Sequence, residues 1–268
     1  MRVGVYLNSK YYSHNESFVE RIFKAFEEQN CISVKSFDDL DGLDVLFVLG
    51  GDGTILNVAS ACAERKVKII GINYGNLGFL AEFEPDKLND AINLVLSGKY
   101  LTQKRSMLDV FVGDKCFSAL NDLVIQRNTG GENFRNTVNL HAEIDGTTVD
   151  NFSSDGVIVS TPTGSTAYSL AAGGSVLTPD LNAFILTPIC PHSLHSRPVV
   201  FGDSSVLKIS PLNTSAPLGF IVDGKVVGEI KCGETVTVKK SENYAEFITE
   251  NDKDFFNKLL IKLNIWSK

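Results

Sequence analysis

Five apolar residues, Val45–Leu49, run without a break into Gly50-Gly51-Asp52-Gly53-Thr54, and the stretch from Thr54 to Arg65 then favours helix. An apolar run of that length with no alternation reads as a strand buried on both faces, the habit of a parallel sheet covered by helices. The rest of the first hundred residues repeats the alternation. Arg2–Leu7 is short and apolar-rich, and Ser13-x-x-Glu16 reads as a capping box ahead of Phe18, Val19, Ile22, Phe23 and Phe26 on one helical face. Val67–Ile70 is strand-like before Gly71, and Leu88, Ile92 and Val95 share a helical face that Gly98 is placed to end. This order predicts right-handed crossovers and an α/β domain.

Beyond Leu101 the texture changes to short β-branched stretches: Leu108–Val112, Val138–Ile144, Val157–Ser160, Val206–Ile209, Phe220–Val222 and Val236–Val238. Asp145-Gly146 and Asp223-Gly224 lie between apolar runs, a strong hairpin signal. The chain ends on Phe255, Phe256, Leu259, Leu260 and Leu263 at helical spacing, and such a helix needs an apolar partner. The expectation is an α/β domain over residues 1–101 and 245–268, its last helix returning to it, and a β-rich domain over 102–244.

The balance of 25 basic and 32 acidic residues, net −7, leaves no basic excess for general nucleic-acid binding. No apolar run approaches bilayer thickness, and no apolar leader opens the chain. Five widely spaced cysteines form neither a disulfide framework nor a zinc cluster. A cytoplasmic protein, away from membranes, is the expectation.

Gly50–Thr54 sits where a strand passes into a helix, the place where open α/β sheets bind ligands. Its glycines admit close backbone approach, and a helix start favours an anion such as phosphate. It is no Walker loop, because no Gly-Lys-Ser/Thr follows, and no dinucleotide fingerprint, because Leu56 replaces the third glycine. Asp52 among phosphate-binding amides would repel the phosphate unless it serves a hydroxyl or a metal. The same pentapeptide is compatible with a plain turn in which Asp52 caps the helix. Thr161-Pro162-Thr163-Gly164-Ser165-Thr166-Ala167-Tyr168 is either a wrap for a polar ligand or a tight turn whose hydroxyls cap a helix. Gly71–Leu80 brings backbone close to something, with Phe79 facing either a base or the core. Asn121-Asp122 interrupts an apolar pattern, so it binds something or marks a turn. His192 and His195 have no Glu or Cys companion, and Pro191 opposes a helix, so no metal site is expected there.

In this order and combination, with Pro188-x-x-Pro-His-Ser-Leu and Arg197-Pro198 closing the set, the segments resemble the NAD kinase family. Its members share a Gly-Gly-Asp-Gly loop with phosphofructokinases and diacylglycerol kinases. The resemblance implies an N-terminal α/β domain, a β-rich C-terminal domain that binds NAD, and a returning C-terminal helix. It implies transfer of the γ-phosphate of ATP to the 2′-hydroxyl of the adenosine ribose of NAD, with a divalent metal such as Mg²⁺ and a homodimer or homotetramer. Asp52 matches the family's base. Gly51, Gly53, Asn73, Leu77 and Phe79 fall on nucleotide-flanking positions. Asn121, Asp122, Asp155, Thr163, Thr166, Ala167, Tyr168, Ser169, Leu170 and Ala171 fall on positions that line the NAD site. Asp122 stands where Glu is usual, Ala171 where many members have Ser, Ser153 where some have Arg, and Lys225 where Gln is common. Arg135 matches a basic position of the family. A kinase acting on a sugar phosphate or lipid would call for a basic cluster or an apolar rim, and a non-catalytic dinucleotide sensor would have no need of Asp52.

Overall fold

The computed structural model describes residues 1–7, 12–74, 78–128, 137–212, 217–250 and 255–266. By their contacts the residues fall into two compact units, Met1–Arg105 with Asn243–Lys268, and Ser106–Glu242.

The first unit begins β1 (Val3–Leu7), α1 (Tyr12–Ala25), β2 (Cys31–Ser33), β3 (Val45–Leu49), α2 (Asp52–Arg65), β4 (Lys68–Ile72) and α3 (Leu88–Ser97). Its strands lie in the order β2-β1-β3-β4, all parallel. Every residue of β3 is buried, which explains its unbroken apolar run. Val45, Phe47 and Leu49 pack with Ile22 and Phe26 of α1 and with Leu88, Ile92 and Val95 of α3. On α2, Ile55 comes so close to β4 that a Cβ on Gly71 would lie 2.7 Å from its Cδ1. Gly98 ends α3 at φ +65°, a conformation that suits glycine. Helix α1 starts at Tyr12, so Ser13 lies inside its first turn instead of capping it.

The chain passes into the second unit within β5 (Leu101–Val112). It continues through β6 (Lys115–Ala119), β7 (Asp122–Arg127), β8 (Val138–Ile144), β9 (Thr147–Ser154), β10 (Gly156–Ser160) and α4 (Tyr168–Ala171). Then come β11 (Ala183–Ile189), β12 (Val199–Gly202), β13 (Leu207–Leu212), β14 (Leu218–Val222), β15 (Lys225–Ile230) and β16 (Val236–Thr249). Six strands form an antiparallel sheet, β12-β11-β10-β7-β14-β15. A second antiparallel set joins β9, β8, β13 and the Val236–Val238 start of β16. Leu123, Ile125, Val159 and Phe220 of the first set share a core with Leu140, Phe152, Leu207 and Ile209 of the second, so the unit is a β-sandwich. Both Asp-Gly pairs are two-residue hairpin turns with positive φ throughout: +51° and +79° at Asp145-Gly146, +46° and +75° at Asp223-Gly224.

Strand β16 carries the chain back to the first unit, where Phe247 pairs in parallel with Ile69 of β4. There α5 (Phe255–Trp266) docks, with Lys258 paired to Glu82 and Phe255 against Phe79. No helix among the described residues is long and apolar enough to cross a membrane.

Candidate active site

In the first unit the sheet order reverses at β1, which has β2 on one side and β3 on the other. Ligands of open α/β sheets sit outside the strand ends at such a switch point, and Gly50–Thr54 follows the carboxyl end of β3. Gly51 is the N-cap of α2 and Asp52 its first residue, so the capping alternative for Asp52 is not what the chain adopts. Its carboxylate turns instead to the loop after β4: Phe79 N–H donates to Oδ2 at 2.8 Å and Leu80 N–H to Oδ1 at 3.1 Å. Gly78 makes this possible, because a Cβ there would lie 1.8 Å from Oδ1. A carboxylate has roughly four lone-pair sites, so these two bonds do not by themselves fill it. A Cβ on Gly51 or Gly53 would meet nothing within 4 Å, so neither glycine is demanded by packing and both leave room for a ligand. Asn73 is buried just beyond β4, its N–H bonded to Phe83 O at 2.8 Å. Phe79 is half-buried against Phe255.

In the second unit three neighbouring strands bring their ends together. Ser160 at the end of β10 pairs with Asp122 at the start of β7, and Val222 at the end of β14 pairs with Leu123. The Asp223 carboxylate accepts the N–H groups of Leu120, Asn121 and Asp122 at 2.8, 2.7 and 3.1 Å. Thr161 bonds Leu120 O through its hydroxyl and Asn121 O through its N–H. Gly164 then passes so close that a Cβ would lie 2.1 Å from Asn121 O. Of the hydroxyls in this segment, Thr161, Ser165 and Thr166 bond to nearby backbone carbonyls, the structural duty that the turn alternative describes. Thr163 Oγ1 and Asn121 Oδ1 differ: both are buried and have no hydrogen-bond partner among the described residues. Such groups are costly unless something satisfies them.

Asp122 and Asp223 form a close carboxyl pair. Burial, together with the neighbouring Asp223, pushes Asp122 up to about 7. Burial also raises Asp223, against its three N–H donors and Lys225. Those donors favour the charged form of Asp223, while burial and the neighbouring Asp223 favour the protonated form of Asp122.

The remaining site residues spread along the same sheet. Asp155 immediately precedes β10 and Thr161 immediately follows it, so the two stand six residues, roughly 20 Å, apart. Arg127 pairs with it at 3.1 Å. Tyr168 spans part of that interval: its hydroxyl lies 3.5 Å from Gln126, and burial first, then Cys190, Asp155 and Asp122, hold that hydroxyl protonated beyond its usual range. Ser169 is fully buried against Thr187 at 2.8 Å, so it braces α4 and presents no surface to a ligand. Ala167 and Leu170 are half-buried there and Ala171 is exposed. Ser153 bonds Thr137, and Lys225 is exposed beside the Asp223 turn. His192 and His195 lie exposed on the loop after β11. Leu77 and Arg135 lie outside the described residues. In the sequence Asp223 shows only as a hairpin turn, and nothing there marks Gly78's close approach to Asp52. Both partners are remote in sequence, and the one local hint was the Asp-Gly-Lys turn beside a position already under suspicion.

Family models match both parts of the chain: the ATP-NAD kinase N-terminal domain over residues 8–100 and the ATP-NAD kinase C-terminal domain over 120–250. An NAD kinase of Methanothermobacter thermautotrophicus is 38% identical over 82% of this chain and 76% of its own length. One from Caldicellulosiruptor bescii is 36% identical over 98% of this chain and 99% of its own. Among solved structures, yeast NADH kinase complexed with NADH superposes with a TM-score of 0.87 at 25% identity, covering 100% of this chain and 89% of that one. An Archaeoglobus fulgidus NAD kinase in complex with ATP gives 0.80 at 25% identity, covering 98% and 99%. With both domain models matched in order, and relatives above 35% identical along nearly the whole length, the chain belongs to the NAD kinase family and is a phosphotransferase.

Proposed function

We propose that Asp52 takes the proton of the 2′-hydroxyl on the adenosine ribose of NAD as that oxygen attacks the γ-phosphorus of ATP, giving NADP and ADP. The observation that carries the reading is the Asp52 carboxylate, held by two backbone N–H groups at the carboxyl end of β3 beside two glycines that border open space. A base fixed in this way needs no reorganisation as the bond to phosphorus forms. The start of α2 supplies a favourable field for phosphate, which a chain of net charge −7 cannot supply in bulk.

The dinucleotide is held by the second unit. Asn121 Oδ1 is an acceptor awaiting a partner, Thr163 Oγ1 can donate or accept, and Asp122, next to Asn121 in the chain, offers a donor when protonated. Thr166, Ala167, Tyr168 and Leu170 lead from there toward Asp155 and Ser153, a span suited to an elongated ligand. Mg²⁺ enters as part of MgATP, because the ion typically binds through one or two carboxylates plus substrate phosphates and water. Five free cysteines fit a reducing cytoplasm. Exposed Val200 on edge strand β12 and Val226 on edge strand β15 fit assembly into a dimer or tetramer.

The test is turnover of the purified protein with ATP, Mg²⁺ and NAD, read by an NADP-specific dehydrogenase. Asp52→Asn is expected to lower kcat by about 10²–10⁴-fold while NAD still binds by calorimetry. Near-normal turnover of that variant would remove Asp52 from the role. EDTA should abolish turnover and excess Mg²⁺ restore it.

A further inference from the structure

The segment that holds Asp52 is itself held, at two points, by the C-terminal helix. Two residues past Leu80, Glu82 accepts Lys258 Nζ of α5 on Oε2 at 2.7 Å and the Thr249 hydroxyl on Oε1 at 2.5 Å. The ion pair is largely withdrawn from water, its side chains 12% and 15% exposed. Phe255 lays its ring against that of Phe79, centroids 6.3 Å apart, and Phe79 is the residue whose N–H reaches Asp52 Oδ2. Between helix and segment remains a cavity of about 20 Å³ among Phe79, Glu82, Phe255 and Lys258. That is room for about one water and too little for a substrate group.

The first turns of α5 are only partly buried. Phe256, Leu260 and Ile261 are all exposed by 49% or more. A twelve-residue helix is marginal by itself, so the few buried contacts decide where it sits. Among the described residues, Phe255 and Lys258 make such contacts with the Asp52-binding segment.

We propose that Phe255 and Lys258 are positioning residues: acting through Phe79 and Glu82, they fix the two amides that orient the Asp52 carboxylate. The inference rests on Asp52 being the base. Neither residue touches the reacting atoms, so each acts on kcat and leaves substrate affinity alone.

The test is a double-mutant cycle. Phe255→Ala and Lys258→Met are each expected to lower kcat about tenfold or more, because displacements near 1 Å at a reacting group can cost about a hundredfold. KM for NAD and for ATP should stay within about twofold. Lys258→Arg keeps the charge and should recover most of the turnover, and with Phe255→Leu it serves if the harsher variants fold poorly. In an Asp52→Asn background the same substitutions should add no further loss, since no base remains to misplace. Losses that multiply with that of Asp52→Asn, or KM effects that exceed the kcat effects, would show a general structural role and overturn the proposal. Wild-type kcat in Phe255→Ala and Lys258→Met would overturn it too while leaving the base intact. Full activity of Asp52→Asn alone would instead strike the base reading itself, and this proposal with it.

Discussion

Gly78→Ala isolates the geometry on which the chemistry depends. The substitution leaves Asp52 itself unchanged. What it brings is a methyl group 1.8 Å from Asp52 Oδ1, 2.5 Å from Cγ and 2.8 Å from Oδ2. Ordinary contact begins near 3.4 Å, so Oδ1 must withdraw by 3.4 − 1.8 = 1.6 Å. The Leu80 N–H bond is already 3.1 Å long and does not survive such a move, and Phe79's bond to the same carboxylate is broken with it. Hydrogen bonds to a charged group contribute about 1.5–3 kcal/mol each, so the carboxylate loses the restraint that sets its rotamer. A displacement of this size predicts a fall in kcat of about a hundredfold, with KM for NAD within about threefold. Initial rates with a coupled NADP-specific dehydrogenase, at varied NAD and saturating MgATP, measure both. Gly228→Ala, where a Cβ meets nothing within 4 Å, is the control. A kcat for Gly78→Ala within threefold of wild type would refute the claim that the loop amides orient the base.

Two further substitutions probe the second unit. Asp122→Asn should flatten the pH dependence of KM for NAD between pH 5.5 and 8.5, because the wild-type carboxyl titrates near 7. Its folded pKa lies above the unfolded value, so its contribution to stability is full below about pH 4 and is lost as pH rises through 7. Calorimetric Tm should therefore fall more steeply from pH 5 to 8 in wild type than in Asp122→Asn, and parallel curves would count against a protonated Asp122. Gly164→Ala places a Cβ 2.1 Å from the Asn121 carbonyl, a backbone atom with nowhere to go. Loss of NAD binding by calorimetry with a Tm lowered by several degrees is expected, and unchanged NAD affinity would separate this turn from the dinucleotide site.

The strand-loop-helix at Val45–Arg65 was legible because three local signals agree: a doubly buried strand, a glycine loop and a helix start. The Asp-Gly hairpins were legible for a similar reason, since only a few residues tolerate both positive φ values. Strands β5 and β16 were read only in part. Their 12 and 14 residues include long polar stretches such as Thr102–Ser106 and Lys239–Asn243, which show no apolar run to detect. At the site, Thr161–Tyr168 advertised a special turn but not how its hydroxyls divide between backbone and ligand. That division depends on Leu120 and Asn121, some 40 residues away. Asp223 meets its three amides across 101 to 103 residues and Lys258 meets Glu82 across 176, separations at which no local pattern speaks.

Both units use an aspartate beside a glycine to gather the amides of a distant segment, yet the two carboxylates serve different ends. Asp223 takes three N–H groups and is crowded by a second carboxyl, so its acceptor capacity goes to fixing Leu120–Asp122. Asp52 accepts the amides of Phe79 and Leu80, stands half-exposed at the head of a helix, and has glycines on either side that border open space. The room left around the oxygens is what separates a structural clamp at Asp223 from the base proposed at Asp52. An Asp-Gly pair looks the same in sequence whichever it becomes. It is the loop folding over it, at Gly78 in one case and Leu120 in the other, that decides how much of the carboxylate remains for chemistry.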